Sequence, residues 1–239
     1  MPWLTDIQAG PERLYIFHCQ DWRQADIPTA WFMDLDPLEQ QRAPSHRIQH
    51  VLRRHILAAC CGVAPADIQY DRRADKPRLY NTEVSDFSVS HTADDLVVAV
   101  VFAKQCGVDY ERPRSLLYGK AIAERFFTEQ ERLIWQQRDY DPHYFFRMWT
   151  LKEAAVKCVG SGMFSDAKHY DFSTEQVIYK QHMTDMRRLT EKQAMGYFSV
   201  VFTGRQRQCY YRQVSLAKNH SEERIIDLDR KVAVDLGAK

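Results

Sequence analysis

The spacing of apolar residues predicts two long amphipathic helices. Apolar side chains recur at intervals of three, four and seven residues over Ser45–Cys61 and again over Phe145–Lys157. Gly62 follows the first stretch and Gly160 follows the second, and glycine commonly ends a helix. A further helix is predicted over residues 115–127. The segments between these helices show the alternation of apolar and polar residues, or the continuous apolar runs, that are typical of strands.

Alternating or continuous apolar runs bounded by turn residues predict strands between the helices. The predicted strands cover residues 13–18, 68–79, 87–92, 96–102, 107–111, 177–179, 197–202 and 209–214. We expect the strand at 107–111 to pair next to the one at 96–102. The mixture indicates an α/β (α+β) fold, and a helix followed by strands occurs twice. We therefore predict an N-terminal half over 1–105, a C-terminal half over 106–216, and a charged tail or short last helix over 217–239.

Composition limits the function classes. The chain has 239 residues, 45% of them hydrophobic and 27% charged, as in ordinary globular proteins. A net charge of +1 gives no electrostatic reason to expect nucleic acid as a partner. No apolar run is long enough for a membrane span, and the N-terminus does not resemble a secretory signal. Six scattered cysteines without a CxxC pair favour reduced thiols, and hence a cytoplasmic location.

Candidate chemistry concentrates on one predicted strand and one predicted helix. Asp109 and Glu111 point to the same face of a strand, because side chains alternate with a period of two. Glu153 and Lys157 lie four residues apart on one helical stripe, a spacing that usually marks a solvated salt bridge. Two carboxylates on one strand face favour a hard divalent cation such as Mg²⁺, and Glu153 supplies a third ligand.

Two motifs resemble the signature of the 4'-phosphopantetheinyl transferases, in the larger single-chain group related to surfactin-synthetase activation. They are GVDYERP from Gly107 and, some forty residues later, WTLKEAAVK from Trp149. The second motif matches at every fixed position. Tyr110 departs from the family, which carries an aliphatic residue there. Because Tyr110 points away from the two acidic residues, we expect it to alter packing more than chemistry.

The resemblance implies two similar α/β halves related by a pseudo-twofold axis, with coenzyme A between them. It implies transfer of 4'-phosphopantetheine from coenzyme A to a serine of an apo acyl or peptidyl carrier protein, with release of 3',5'-ADP and dependence on Mg²⁺. A monomer is expected. The implied metal ligands are Asp109, Glu111 and Glu153.

The resemblance also assigns residues to the cofactor. Arg47, with Arg42 as a second candidate, would bind the 3'-phosphate of coenzyme A. Lys76 would line the nucleotide pocket, although Asp75 replaces the family's glycine before it. The implied residues near the diphosphate are Ser90, His91 and Lys157.

The general base is left open between Glu131 and Glu153. Thr128 and Glu131 are spaced as a helix capping box, which is a structural reason for Glu131, while the family has a glutamate here close to the metal. Two other functions stay open. One is a non-catalytic carrier-protein or nucleotide-binding module of the same fold, and the other is an Mg²⁺-dependent phosphohydrolase.

Overall fold

Both predicted long helices form, from Pro44 to Cys61 and from Pro142 to Val159. The computed structural model describes residues 2–73, 76–80, 82–218 and 220–231. Gly62 and Gly160 take left-handed backbone conformations, with φ of 66° and 74°, as expected of glycines that end helices. The combination of helices and strands confirms the predicted α/β class.

The helices and strands are numbered here in chain order. The α-helices in the described part of the chain are α1 Pro37–Gln40, α2 Pro44–Cys61, α3 Gly119–Phe126, α4 Glu129–Gln137, α5 Pro142–Val159, α6 Met163–Asp166 and α7 Leu228–Lys231. The strands there are β1 Arg13–Gln20, β2 Tyr70–Asp71, β3 Arg78–Leu79, β4 Asp86–His91, β5 Asp95–Val101, β6 Cys106–Glu111, β7 Tyr170–Asp171, β8 Ile178–Tyr179, β9 His182–Met183, β10 Met186–Lys192, β11 Tyr197–Thr203, β12 Gln208–Ser215 and β13 His220–Asp227.

The chain divides into two compact units. The first contains the residues up to Ala103 together with Gln206–Ile226, and the second contains Lys104–Arg205 and the residues from Asp227 on. The first unit is thus interrupted after Ala103, while the boundary predicted from the sequence follows residue 105. However, β12 and most of β13 group with the first unit, whereas the sequence suggested the C-terminal half for β12 and a tail for β13.

The first unit is built on a five-stranded sheet in the order β13-β12-β1-β5-β4. β1 is parallel to β12 and antiparallel to β5. Helix α2 covers one face of this sheet, where its residues Leu52 and Ile56 join Tyr15, Phe17 and Val98 in a buried cluster. Each such side chain contributes about 2 kcal/mol by leaving water.

The second unit carries the other long helix on a three-stranded sheet in the order β10-β11-β6. Buried aromatic side chains from α3, α4 and α5 pack together, among them Phe126, Trp135 and Phe145. Val201 of β11 belongs to the same cluster. This packing fixes α5, the helix of the second motif, against β6, the strand of the first.

Two predictions about strands are wrong. β6 does not pair with β5, because β1 and β4 occupy both edges of β5, and β6 pairs with β11 instead. The predicted strand at 68–79 is reduced to the two-residue strands β2 and β3, since its centre is a run of charged residues that ends in a proline. The predicted charged tail contains β13 and α7, while residues 219 and 232–239 lie outside the described residues.

All six cysteines are free thiols, as their scattered positions indicated. Five of them are buried, and burial raises the pKa of Cys19 to about 12. Thiols in such surroundings stay protonated and act as small apolar side chains. No helix among the described residues combines the length and the apolar character needed to cross a membrane.

A buried ionic cluster in the first unit predicts acid sensitivity. The carboxylate of Glu39 in α1 is 1% exposed and binds Arg53 at 2.7 Å and Arg54 at 2.5 Å. Burial alone would raise the pKa of Glu39, but hydrogen bonds from His50 and Arg54 outweigh it and lower the pKa to about 2. A carboxyl whose pKa is lower in the folded state stabilises the fold above its ordinary pKa, and the contribution disappears as the pH falls through the folded value.

We therefore expect the free energy of unfolding to fall by about 3 kcal/mol between pH 5 and pH 2 through Glu39 alone. Urea unfolding of Glu39→Gln across this range should show a flatter pH dependence than the parent protein. The exposed Glu12 offers a matched control, since its pairing with Arg207 at 3.6 Å is loose and solvated. Equal slopes for the parent and Glu39→Gln would contradict this account.

Candidate active site

The backbones of β6 and α5 lie in direct contact at Gly107. A Cβ atom on Gly107 would lie 1.9 Å from the carbonyl oxygen of Ala154 and 2.4 Å from the amide nitrogen of Cys158. Backbone atoms cannot give way to relieve such a clash, so any larger residue would push the helix off the strand. Gly107 therefore allows the side chains that follow it on β6 to reach those of α5.

Lys157 joins the acidic residues of the two elements. Its Nζ atom lies 2.6 Å from Oδ1 of Asp109 and 3.4 Å from Oε2 of Glu153. Asp109 is 3% exposed, whereas the side chains of Lys157 and Glu153 are partly open to solvent. Strand and helix thus bring Asp109 together with Glu153 and Lys157, which follow it by more than forty residues in sequence.

The pKa of Glu153 is set by its burial and by the charges around it. Burial raises the pKa of Glu153, the carboxylate of Asp109 raises it further, and Glu111 adds to the effect, so that Lys157 offsets only part of the shift. For Lys157, burial alone would lower the pKa, but Asp109 and Glu153 outweigh burial and raise it. The ammonium group is therefore held charged among carboxylates that repel one another.

Glu111 is the third carboxylate near Asp109, Glu153 and Lys157. It ends β6, and its Oε2 atom accepts a hydrogen bond from Nη1 of the exposed Arg114 at 2.6 Å. In the described part of the chain, no group of three or more His, Cys, Asp or Glu side chains is arranged to hold a metal ion. The ammonium group of Lys157 balances the negative charge of Asp109 and Glu153.

Glu131, the other candidate base, lies in a different environment. It is fully buried, and its carboxylate binds Nζ of Lys152 at 2.7 Å and the backbone amides of Thr128 and Phe172 at 2.8 Å each. The predicted capping box with Thr128 is confirmed. Burial raises the pKa of Glu131 and lowers that of Lys152, and each partner offsets part of the other's shift. Glu131 is thus committed to linking α4, α5 and the segment at Phe172.

The face of β6 opposite Asp109 is a packing face. Tyr110 is 2% exposed, as its position between the two acidic residues indicated. Its hydroxyl end faces Gly196, where an added Cβ atom would lie 2.8 Å from it. Gly196 makes room for the tyrosine that departs from the family pattern.

The remaining candidates belong to the first unit. Arg47 lies on α2, half-buried, and its Nε atom is buried without a hydrogen-bond partner among the described residues. Lys76 forms a short ion pair with the buried Asp86, and Asp75 lies outside the described residues. Ser90 is buried near the end of β4, and His91 ends that strand with its ring exposed and 6.1 Å from the ring of Trp22.

Comparison with known proteins supports the motif assignment. Residues 105–194, which include β6 and α5, match the family described as ACPS, the 4'-phosphopantetheinyl transferase superfamily. Through this segment, the chain is similar to the 4'-phosphopantetheinyl transferase superfamily.

Several curated 4'-phosphopantetheinyl transferases are similar to part of the chain. The 4'-phosphopantetheinyl transferase gsp of Aneurinibacillus migulanus is 35% identical over 40% of this chain and 41% of its own length. HetI of Nostoc sp. is 33% identical over 50% of this chain and 55% of its own. Sfp of Bacillus subtilis is 27% identical over 47% of this chain and 50% of its own. The chain thus spans about half the length of the curated relatives it matches.

The match to the 4'-phosphopantetheinyl transferase superfamily covers only part of the candidate residues. Asp109, Glu111, Glu131, Glu153 and Lys157 lie within residues 105–194, whereas the candidates of the first unit precede this segment.

Three side chains close to the transferase motifs were not assigned a role from the sequence. Arg114 binds Glu111, Lys152 binds Glu131, and Ser199 lies directly opposite Asp109 on the neighbouring strand. Lys152 could have been found, because it is a fixed position of the second motif. The role of Ser199 depends on the pairing of β6 with β11, which no local pattern reveals.

Proposed function

We propose that this protein transfers the 4'-phosphopantetheine group of coenzyme A to a serine hydroxyl of an apo carrier protein and releases 3',5'-ADP. The observation that carries the proposal is the convergence of Asp109, Glu153 and Lys157 on the matched segment. The names of the relatives supply the type of group transferred. Coenzyme A, the carrier protein and the metal come from the motif resemblance.

The donor atoms fit a hard divalent cation. Asp109, Glu111 and Glu153 offer only carboxylate oxygens, the ligands that Mg²⁺ prefers. Burial and then the repulsion of Asp109 and Glu111 raise the pKa of Glu153, and a bound cation would counter this repulsion. We assign these three residues to Mg²⁺. When bound, Mg²⁺ supplies positive charge that counters the negative charge of the diphosphate.

The residues of α5 then serve the chemical step. The serine oxygen forms a bond to the phosphorus that carries the pantetheine arm, and the bond from that phosphorus to the bridging oxygen of 3',5'-ADP breaks. Glu153 accepts the serine proton, because its carboxylate is partly exposed and lies beside Lys157 on the same helix. Lys157, held charged, stabilises the negative charge that develops on the phosphoryl oxygens.

Glu131 is the less suitable base. Its two carboxylate oxygens already accept three hydrogen bonds, and no part of it is exposed to solvent. We assign Glu131 to the positioning of α5 through Lys152. Arg47, Lys76, Ser90 and His91 are assigned to the nucleotide and diphosphate of coenzyme A, since they offer cationic groups or hydrogen-bond donors.

The decisive experiment incubates the protein with coenzyme A, MgCl₂ and an apo carrier protein. We expect the mass of the carrier to increase by about 340 Da, the mass of one phosphopantetheine group attached in a metal-assisted transfer. Intact-protein mass spectrometry over a panel of apo carriers from fatty acid, polyketide and nonribosomal peptide systems would also identify the preferred partner.

Two other results would replace the proposal. Binding of coenzyme A or carrier without any mass increase would indicate a non-catalytic module. Breakdown of coenzyme A in the absence of carrier would indicate a phosphohydrolase. A carrier whose serine is replaced by alanine is the negative control, because it lacks the accepting hydroxyl group.

A further inference from the structure

Three buried hydroxyl groups form a connected chain in the second unit. The Oγ1 atom of Thr150 lies 2.7 Å from Oγ of Ser199, which lies 3.0 Å from Oγ1 of Thr190. Thr150 and Ser199 are 0% exposed, and Thr190 is 8% exposed. The Thr150 hydroxyl also donates to the carbonyl oxygen of Arg147 at 3.1 Å. The three groups connect α5, β11 and β10.

Strand register places this chain beside Asp109. Ser199 on β11 pairs directly with Asp109 on β6, and Thr190 on β10 pairs with Ser199. Directly paired residues of antiparallel strands share a face, with Cβ atoms about 5 Å apart. The acidic residue that binds Lys157 and the hydroxyl that meets Thr150 are therefore immediate neighbours on the sheet.

Helical spacing places Thr150 on the face of α5 that carries Lys157. The two residues are seven positions, or two turns, apart, and Glu153 lies between them one turn after Thr150. Thr150 meets Ser199, and Lys157 meets Asp109. The helix is thus held to two adjacent strands at two points on one stripe.

Donor counting singles out one bond of the chain. Each hydroxyl has a single proton. Since Thr150 donates to Arg147, Ser199 donates to Thr150, and Thr190 donates to Ser199. Among the bonds between these three hydroxyl groups, only the one from Ser199 to Thr150 joins helix α5 to the sheet. The bond from Thr190 to Ser199 joins two strands. Thr190 is therefore a natural control for Thr150.

The contact at Gly107 sets the distance between helix and strand but does little to prevent rotation or sliding of the helix. The hydrogen bond between Ser199 and Thr150 is directional and buried. It therefore fixes the rotation of α5 about its axis and the position of α5 along the sheet. We propose that Thr150 and Ser199 are positioning residues that set α5 so that Glu153 and Lys157 stand over Asp109. Their effect on catalysis depends on the proposed transferase function, whereas their effect on the Lys157–Asp109 pair does not.

The first test compares hydroxyl-deleting and hydroxyl-keeping variants in the carrier-modification assay. Thr150→Val is isosteric and lacks the hydroxyl, and Thr150→Ser keeps it. We expect Thr150→Val to lower kcat between about 10-fold and 10²-fold with little change in KM, because small displacements of a catalytic group have effects of this size. Thr150→Ser and Thr190→Val should retain activity close to that of the parent. Ser199→Ala combined with Thr150→Val should lose no more than either alone.

The second test needs neither metal nor substrate. Lys157→Met is introduced into the parent and into Thr150→Val, and the thermal midpoint of each protein is measured. If the hydroxyl pair positions Lys157 over Asp109, the shift caused by Lys157→Met should shrink to about half or less in the Thr150→Val background. In the Thr190→Val background the shift should equal that in the parent.

Four results would overturn the inference. Three concern kcat: no loss in Thr150→Val, or a loss in Thr150→Ser or in Thr190→Val as large as that in Thr150→Val. The fourth is a midpoint shift caused by Lys157→Met that is the same in Thr150→Val as in the parent. If the parent protein modifies no carrier, the proposed function fails, and the midpoint comparison alone decides whether the hydroxyl pair positions Lys157.

Discussion

Glu153→Gln should lose at least about 10³-fold in the rate of carrier modification while keeping the fold intact. The substitution preserves the shape of the side chain but removes the negative charge and the proton-accepting ability of the carboxylate. Both proposed roles of Glu153, as a metal ligand and as the base, require the carboxylate. Initial rates from intact-protein mass spectrometry of the carrier at saturating coenzyme A measure the effect.

The thermal stability of Glu153→Gln should not fall, in contrast to its activity. Burial and the neighbouring Asp109 raise the pKa of Glu153, so its charge is unfavourable in the folded protein. Glu153→Gln should therefore have a thermal midpoint equal to or above that of the parent. Glu124→Gln, on the exposed side of α3, is the matched control and should change neither quantity. A variant at Glu153 that modifies the carrier at the parent rate would refute the assigned role.

Lys152→Met should lower the free energy of unfolding by about 3–5 kcal/mol. Lys152 and Glu131 are both fully buried and 2.7 Å apart, so removal of the ammonium group leaves an uncompensated carboxylate in the core. Methionine fills a similar volume, and the loss therefore reports on charge and hydrogen bonding rather than on a cavity. Urea unfolding at pH 7 measures the loss.

The pH dependence gives Lys152→Met a second signature. Without Lys152, the pKa of Glu131 lies still further above its ordinary value, because burial raises it and the main opposing charge is gone. A carboxyl with a raised folded pKa favours folding at low pH and opposes it as the pH rises. The variant should therefore regain stability as the pH falls from neutral toward the ordinary carboxyl pKa. In Lys152→Met/Glu131→Gln this regain should disappear, and a regain of equal size in the double variant would exclude Glu131 as its source.

Local patterns were sufficient to predict the elements that carry the candidate site. The period of two put Asp109 and Glu111 on one strand face, and the helical period put Glu153 and Lys157 on one stripe. The capping box of Glu131 also depends on spacing alone. Each of these features involves residues within a few positions of one another, so the sequence was enough to infer it.

Features that depend on distant parts of the chain could not be predicted in this way. β10 and β13 have many charged residues and little apolar alternation, because β13 is an edge strand with one buried side chain and β10 buries polar residues such as Thr190. The pairing of β6 with β11 and the burial of Glu131 against Lys152 require knowledge of which segments meet. Periodicity describes a segment, whereas these contacts are properties of the fold.

The parallel pairing of β1 with β12 has a consequence for biosynthesis. β1 leaves the ribosome almost two hundred residues before β12, the strand that pairs with it. Until then the nascent β1 has a row of unpaired amide and carbonyl groups, the kind of surface that recruits foreign strands. The intervening segment builds a compact unit of its own and has time to do so first. The five-stranded sheet is therefore completed only after the segment of the second unit has been made, and chaperones that shield exposed strand edges would act mainly before that moment.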